Sequence, residues 1–191
     1  MLFRSGMAAL PLVALGGRSG EAADMSTRLR YEAWHAGLQM FKQSPVFGVG
    51  QRQFSEHHYM TAHNSYVLAL AELGFVGLVL FICLLYLTVK TLVMGVIQLE
   101  GVPGARPAQV WAMALLSSFA GMLFSINTLS FSYHSVLWIY LGLGGAWVSM
   151  VRHHKPDFDV QITSRDLVVI VGACAAFAVV VLPVFLRFKG V

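Results

Sequence analysis

Residues 66–90 read YVLALAELGFVGLVLFICLLYLTVK, and this stretch decides the class of the fold. Its only charged residue before Lys90 is Glu72, close to the start. At about 1.5 Å per residue, a helix over residues 66–89 is long enough to cross the ~30 Å hydrocarbon core of a bilayer. The stretch therefore predicts a membrane-spanning helix.

Three further apolar blocks follow this one along the chain. Residues 109–126 and 134–150 predict two spans that are joined by a short polar turn, as in a helix hairpin. Residues 167–186 predict a last span, with charged residues on both sides of it. The sequence thus predicts four spans between residue 66 and the end of the chain.

The composition excludes a water-soluble domain. Of the 191 residues, 57% are hydrophobic and only 12% are charged, whereas a soluble domain is usually about a quarter charged. The net charge of +4 comes from Lys and Arg scattered at the ends of apolar blocks, which favours a topology signal over a nucleic-acid site. Cys83 and Cys174 lie in different apolar segments and indicate neither a disulfide framework nor a zinc site. We expect an all-α integral membrane protein, a polytopic helix bundle that has the lipid bilayer as its partner, with no nucleic acid and no cofactor.

The N-terminal residues 6–17 are apolar but too short to cross a bilayer without tilt. Arg4 before them, with Ala22 and Ala23 after them, would fit a signal peptide. Alternatively the segment is the end of a transmembrane helix whose beginning lies outside this chain, and we favour this second interpretation. The chain then divides into a remnant helix at 1–17, a polar loop at 18–65 and a transmembrane region at 66–191.

The polar loop holds the candidate functional residues. Tyr31, Trp34, Leu38 and Phe41 recur at helical spacing, which predicts a helix over residues 30–43 lying in the membrane interface. In such a helix the aromatic rings serve most simply as headgroup anchors. After the helix the sequence continues with Pro45 and then Gly48-Val49-Gly50. These glycines predict a chain reversal, or else a turn whose amides approach a phosphate.

Two ionisable residues near the first span are candidates for chemistry. His63 stands at the mouth of the membrane, where it is either a solvated anchor or a general base for a sugar hydroxyl. Glu72 lies inside the span, which suggests a function, although a hydrogen bond that packs helices is the simpler interpretation. A metal site built from His57, His58 and His63 is disfavoured, because no carboxylate cluster completes it.

Loop charges predict the orientation. The loops 90–108 and 151–166 carry basic residues and are predicted to be cytoplasmic, so the polar loop lies on the other side. With this orientation Arg187 and Lys189 also fall outside, against the rule.

Four motifs follow one another in the polar loop and the first span. They are Arg30-Tyr31-Glu32-Ala33-Trp34, Ser44-Pro45-Val46-Phe47-Gly48-Val49-Gly50, His63-Asn64-Ser65-Tyr66 and Glu72-Leu73-Gly74-Phe75-Val76-Gly77. This succession, over about residues 26–80, resembles the O-antigen ligase and O-antigen polymerase superfamily. Beyond residue 80 only the hydropathy is similar.

The resemblance implies a metal-independent membrane glycosyltransferase. Such an enzyme moves a glycan from an undecaprenyl diphosphate carrier to an acceptor glycolipid (lipid A core) or glycan, at the periplasmic face of the bacterial inner membrane. It implies that Arg30 holds the diphosphate and that His63 activates the acceptor hydroxyl. We expect the substrates to be bound by Arg28, Arg52, Trp34, Gly48, Gly50, Asn64 and Glu72.

The chain also departs from this family, whose members usually have more spans and a further functional arginine in an earlier loop. We therefore expect a C-terminal portion of such a protein. Ligase and polymerase are not distinguished by these residues. A transporter or a non-catalytic scaffold is the alternative from another class, but the spans offer few midplane polar groups besides Glu72, Ser117 and Ser118, and no inverted repeat.

Overall fold

The computed structural model describes residues 20–190, without the side chains of Glu21 and Ala22. The prediction of a remnant helix or signal peptide at residues 1–17 lies outside the described residues. Within them the chain forms six helices: α1 (Gly20–Gln43), α2 (Phe54–His57), α3 (Ser65–Gln98), α4 (Arg106–Ser125), α5 (Ser135–His154) and α6 (Ser164–Phe188). In α6 a π-helical turn at Phe177–Val181 joins Ser164–Ala176 to Leu182–Phe188.

The helices α3 to α6 are each long and apolar enough to cross a membrane. Each overlaps one of the four predicted spans, so the predicted polytopic helical membrane protein is confirmed. The bounds differ most for α3, which runs past Lys90 to Gln98. The helix continues past Lys90, a residue compatible with helix, and the Lys90 ammonium bonds the Asp166 carboxylate of α6 at 2.6 Å.

Side-chain caps fix where α3 and α6 begin. The Asn64 side chain accepts hydrogen bonds from the amides of Tyr66 and Val67, both at 3.0 Å, and so starts α3. Thr163 and Asp166 form a capping box at the start of α6. Since Asp166 also binds Lys90, the cap of α6 and its attachment to α3 share one carboxylate.

The helix α3 is broken at Gly74, whose φ of 68° and ψ of −164° are not helical. Residues 45–50 of the loop lie against the break. Four hydrogen bonds join the two segments: Val49 N to Ala71 O (3.0 Å), Gly50 N to Glu72 O (3.0 Å), Phe75 N to Pro45 O (2.9 Å) and Val76 N to Val46 O (3.2 Å). Loop backbone thus satisfies the groups that the break leaves without a helical partner.

The helix α1 starts ten residues before the predicted helix at 30–43 and packs on α3 and on the end of α6. Its Gly37 allows a close approach, because a Cβ there would stand 2.8 Å from Val67. The Tyr31 and Trp34 rings contact Phe185 of α6, with centroid distances of 5.4 and 5.9 Å. These aromatic rings therefore pack against protein, rather than serving as headgroup anchors alone.

The long helices alternate in direction, so their connections gather at two ends. Residues 44–64, the hairpin at residues 126–134 and the end of α6 share one end. Residues 99–105 and 155–163 share the other, where a second apolar cluster is built around Trp147 and Phe158, whose rings meet edge to face at 5.9 Å. The first end brings the candidate site residues together.

Candidate active site

The hairpin at residues 126–134 is fastened to the start of α3 through Ser65, which is fully buried. Both the backbone and the hydroxyl of Ser65 take part. The bonds are Ser65 N to Ile126 O (2.9 Å), Ser65 Oγ to Leu129 O (2.7 Å), Phe131 N to Ser65 Oγ (2.8 Å) and Ser132 Oγ to Ser65 O (2.9 Å). Sequence reasoning gave Ser65 no role of its own, because its partners lie more than 60 residues away along the chain.

His63 is held between this hairpin and the loop. Its φ of 48° is left-handed, which is uncommon for a residue with a side chain. Its amide donates to the Ser130 hydroxyl at 3.0 Å, and the same hydroxyl pairs with Thr61 Oγ1 at 2.8 Å. Ser130 thereby fixes the backbone from which the imidazole projects.

Arg30 of α1 lies within electrostatic reach of His63. The pKa of His63 is lowered from 6.5, first by burial and then by the Arg30 charge. A lowered pKa leaves the imidazole neutral at neutral pH, with a nitrogen able to accept a proton. Arg30 and His63, the two residues predicted to be catalytic, thus lie within electrostatic range of each other.

Trp34 and Asn64 hold the segment on either side of His63. The Trp34 indole Nε1 donates to the Ala62 carbonyl at 2.7 Å. Asn64 caps α3, and its Nδ2 donates to the Asn127 carbonyl of the hairpin at 3.0 Å. Both side chains make their polar contacts within the protein.

Glu72 is buried, with 2% of its surface exposed. Its Oε2 accepts from the Arg52 amide and its Oε1 from the Phe54 amide, both at 2.9 Å. The carboxylate thus binds backbone amides of the loop, whereas the simpler interpretation of its sequence position was a bond that packs helices. The Arg52 side chain is exposed, and its backbone is left-handed with a φ of 62°.

Tyr133 of the hairpin faces the same carboxylate, and the sequence gave no signal for it. Burial raises the pKa of Tyr133, the neighbouring Glu72 raises it further, and Arg52 opposes the shift. The phenol therefore stays protonated at neutral pH. One hairpin reaches both Glu72, through Tyr133, and His63, through Ser130.

Gly48 of the loop and Gly74 of α3 act through their small size. A Cβ on Gly48 would collide with the Glu72 carbonyl group, and one on Gly74 with the Val46 carbonyl oxygen. The Gly48 amide donates to Ser44 O at 2.9 Å, and the Gly50 amide to Glu72 O at 3.0 Å. Since both amides are engaged within the chain, the arrangement favours the chain reversal over phosphate binding by these amides.

Arg28, the competing candidate for the diphosphate, lies elsewhere on α1. It is exposed and pairs with Glu32 at 3.3 Å. It lines a cleft of about 500 Å³ together with Asp24 and Lys189. Among residues 20–190, no three His, Cys, Asp or Glu side chains are grouped so that they could hold a metal ion.

Residues 3–82 match the family model described as O-antigen ligase. All the motifs that carried the resemblance lie inside this range, whereas the hairpin at residues 126–134 lies beyond it. The resemblance is therefore confirmed over residues 3–82, and it implies a membrane enzyme of the O-antigen ligase or polymerase type. Neither a curated protein nor a solved structure matches the chain.

Proposed function

We propose that this protein is a metal-independent glycosyltransferase that moves a glycan from an undecaprenyl diphosphate carrier to an acceptor sugar of a lipid A core. The observation that carries the proposal is a half-buried His63, held by the hairpin through Ser130 and lying within electrostatic range of Arg30, which lowers its pKa in addition to burial. The family match over residues 3–82 supports the same class of reaction.

His63 is the general base in this proposal. The acceptor hydroxyl attacks the anomeric carbon of the glycan, and its proton passes to the neutral imidazole as the new C–O bond forms. Proton transfer of this kind contributes about 10²- to 10⁴-fold to a rate. The left-handed backbone and the bond to Ser130 support the role, because they hold the imidazole in one place.

Arg30 binds the carrier diphosphate. The bond between the anomeric carbon and the diphosphate oxygen breaks, and the electron pair leaves with the carrier. A guanidinium fork stabilises that growing charge, most effectively where water is partly excluded. In the free enzyme burial lowers the pKa of His63, and the Arg30 charge lowers it further, so Arg30 contributes to both steps.

We place the site at the periplasmic face of the bacterial inner membrane. The opposite end of the bundle carries Lys90, Arg106, Arg152, Lys155 and Arg165. Basic loops of this kind face the cytoplasm. Residues 18–65 then face the periplasm, where a lipid-linked glycan donor and a lipid A core acceptor meet.

The test is glycan transfer by the intact protein in a strain that lacks its own ligase. His63→Ala and Arg30→Ala are compared with wild type at matched membrane expression. His57→Ala, an exposed histidine of the same loop, and Arg106→Ala, an arginine of the opposite end, are the matched controls. We expect both site variants to lose transfer while the lipid-linked donor accumulates, and both controls to retain it.

The product identifies the reaction. Glycan attached to the lipid A core supports the ligase. A longer glycan that remains on the carrier would show that the protein is a polymerase instead. Donor that crosses the membrane without a new glycosidic bond would show that it is a transporter. Normal transfer by both site variants would remove His63 and Arg30 from the mechanism.

A further inference from the structure

The Glu72 carboxyl group is shielded from solvent and has no ion-pair partner among the described residues. Among the described residues no salt bridge involves its carboxylate, and 2% of its surface is exposed. Both carboxylate oxygens are used on backbone amides, those of Arg52 and Phe54. Burying a carboxylate costs free energy unless hydrogen bonds compensate it. The two bonds to the loop amides therefore indicate that Glu72 has a structural role at these positions.

That role is to hold the backbone conformation of Arg52. A left-handed backbone costs a residue with a side chain about 1–2 kcal/mol, and it persists only where neighbours enforce it. Glu72 enforces it by binding the amide of Arg52 and that of the second residue after it, from opposite oxygens. The amide faces the protein and the side chain of Arg52 is left exposed.

The hairpin links this arrangement to His63. Tyr133 is close enough to Arg52 for the guanidinium charge to act on its phenol. Three residues earlier, Ser130 binds the His63 amide. Arg52 and His63 are therefore both linked to the same short hairpin.

We propose that Glu72 is a positioning residue that presents the Arg52 guanidinium to the diphosphate of the glycan carrier. Glu72 does not contact the substrate. Arg52 supplies a second cation in addition to that of Arg30, which suits the two phosphoryl groups of a diphosphate. The inference rests on the proposed function for the identity of the diphosphate, but it concerns binding alone.

The test is a double-mutant cycle on diphosphate binding by the purified full chain. The probe is farnesyl diphosphate, and its Kd is measured for wild type, Arg52→Ala, Glu72→Gln and the double variant. We expect Arg52→Ala to raise the Kd about tenfold, as for the loss of one charge-assisted hydrogen bond. Glu72→Gln should raise it several-fold in wild type and leave it unchanged in the Arg52→Ala background.

Three further arms separate this role from a general loss of structure. Glu56→Gln removes an exposed carboxylate from the same loop and should leave the Kd unchanged. Inorganic pyrophosphate should give the same pattern among the variants, because the contact is to the diphosphate and not to the lipid chain. Glu72→Asp keeps the charge but shortens the reach to the amides, so it replaces Glu72→Gln should that variant fail to fold.

Two results would overturn the inference: equal losses from Glu72→Gln in both backgrounds, or a wild type that binds neither diphosphate. Failure of glycan transfer with this binding pattern intact would instead count against the proposed function alone.

Discussion

The amide of His63 donates to the Ser130 hydroxyl at 3.0 Å, although the two residues belong to segments 67 positions apart. Ser130 lies in the hairpin between α4 and α5, beyond the residues that match the O-antigen ligase family. The placement of the proposed base therefore depends on a part of the chain that the family motifs do not include.

Ser130→Ala should lower the transfer rate without unfolding the protein. The change removes one hydrogen bond to the His63 amide and one to Thr61, worth roughly 1 kcal/mol each. We expect kcat to fall several-fold, with a smaller change in the KM for the donor. Ser125→Ala is the control, because that hydroxyl bonds only Gly121 O within α4. Equal rates for the two variants would show that Ser130 does not position His63.

The pH dependence of transfer should report His63. Because the pKa of this base is lowered from 6.5, the neutral form persists below pH 6.5 and the acid limb of kcat/KM lies below that value. Arg30→Gln removes the smaller of the two causes, so the residual activity should show its limb shifted toward higher pH. In Arg28→Gln the limb should stay in place, since Arg28 does not act on His63. An acid limb that stays at the same pH in Arg30→Gln would contradict the electrostatic coupling between Arg30 and His63.

Gly74→Ala should destabilise the protein strongly. The backbone at this position is one that glycine alone adopts easily, and a Cβ would collide with the Val46 carbonyl oxygen. We expect a loss of about 3 kcal/mol or more in the free energy of unfolding, seen as a lower thermal midpoint in detergent. Gly142→Ala, in open space on α5, is the matched control and should melt at or slightly above wild type. Similar midpoints for both variants would argue against a tight contact at the break.

Lys90→Met should weaken the attachment of α6 to α3. It leaves the Asp166 carboxylate without its cation, and the two side chains are only 23% and 17% exposed. We expect a loss of about 1–2 kcal/mol, less than for a fully buried pair because some water reaches it. Arg152→Met breaks a longer, more exposed pair with Asp159 and should cost at most about 1 kcal/mol. Unfolding midpoints in the opposite order would contradict this difference.

The spans were predictable because they depend on local composition. A run of apolar residues is a signal within one segment, and each of the four runs became a helix. The ends were less predictable. The α3 helix continues past Lys90, where the apolar run ends, and no pattern within α3 predicts the bond that Lys90 makes with Asp166 of α6.

The candidate site was predictable only in part, because its other contacts also come from segments that are distant in the sequence. Arg30 and His63 were predicted from motifs, and the fold places them within electrostatic range of each other. Ser130 and Tyr133 were missed, because a polar turn between two spans has the same composition whether it faces water or a loop. Glu72 was identified as unusual within a span, but its partners on the loop were not.

The break at Gly74 also has a consequence for how the protein is made. An unbroken apolar helix satisfies its own backbone and can enter a bilayer alone, whereas α3 needs four hydrogen bonds from residues 45–50. Those residues precede Gly74 in the chain and leave the ribosome first. The loop backbone that bonds the break is therefore already synthesised when Gly74 leaves the ribosome. The helix α3 does not depend on any later segment of the chain to satisfy its backbone at the break.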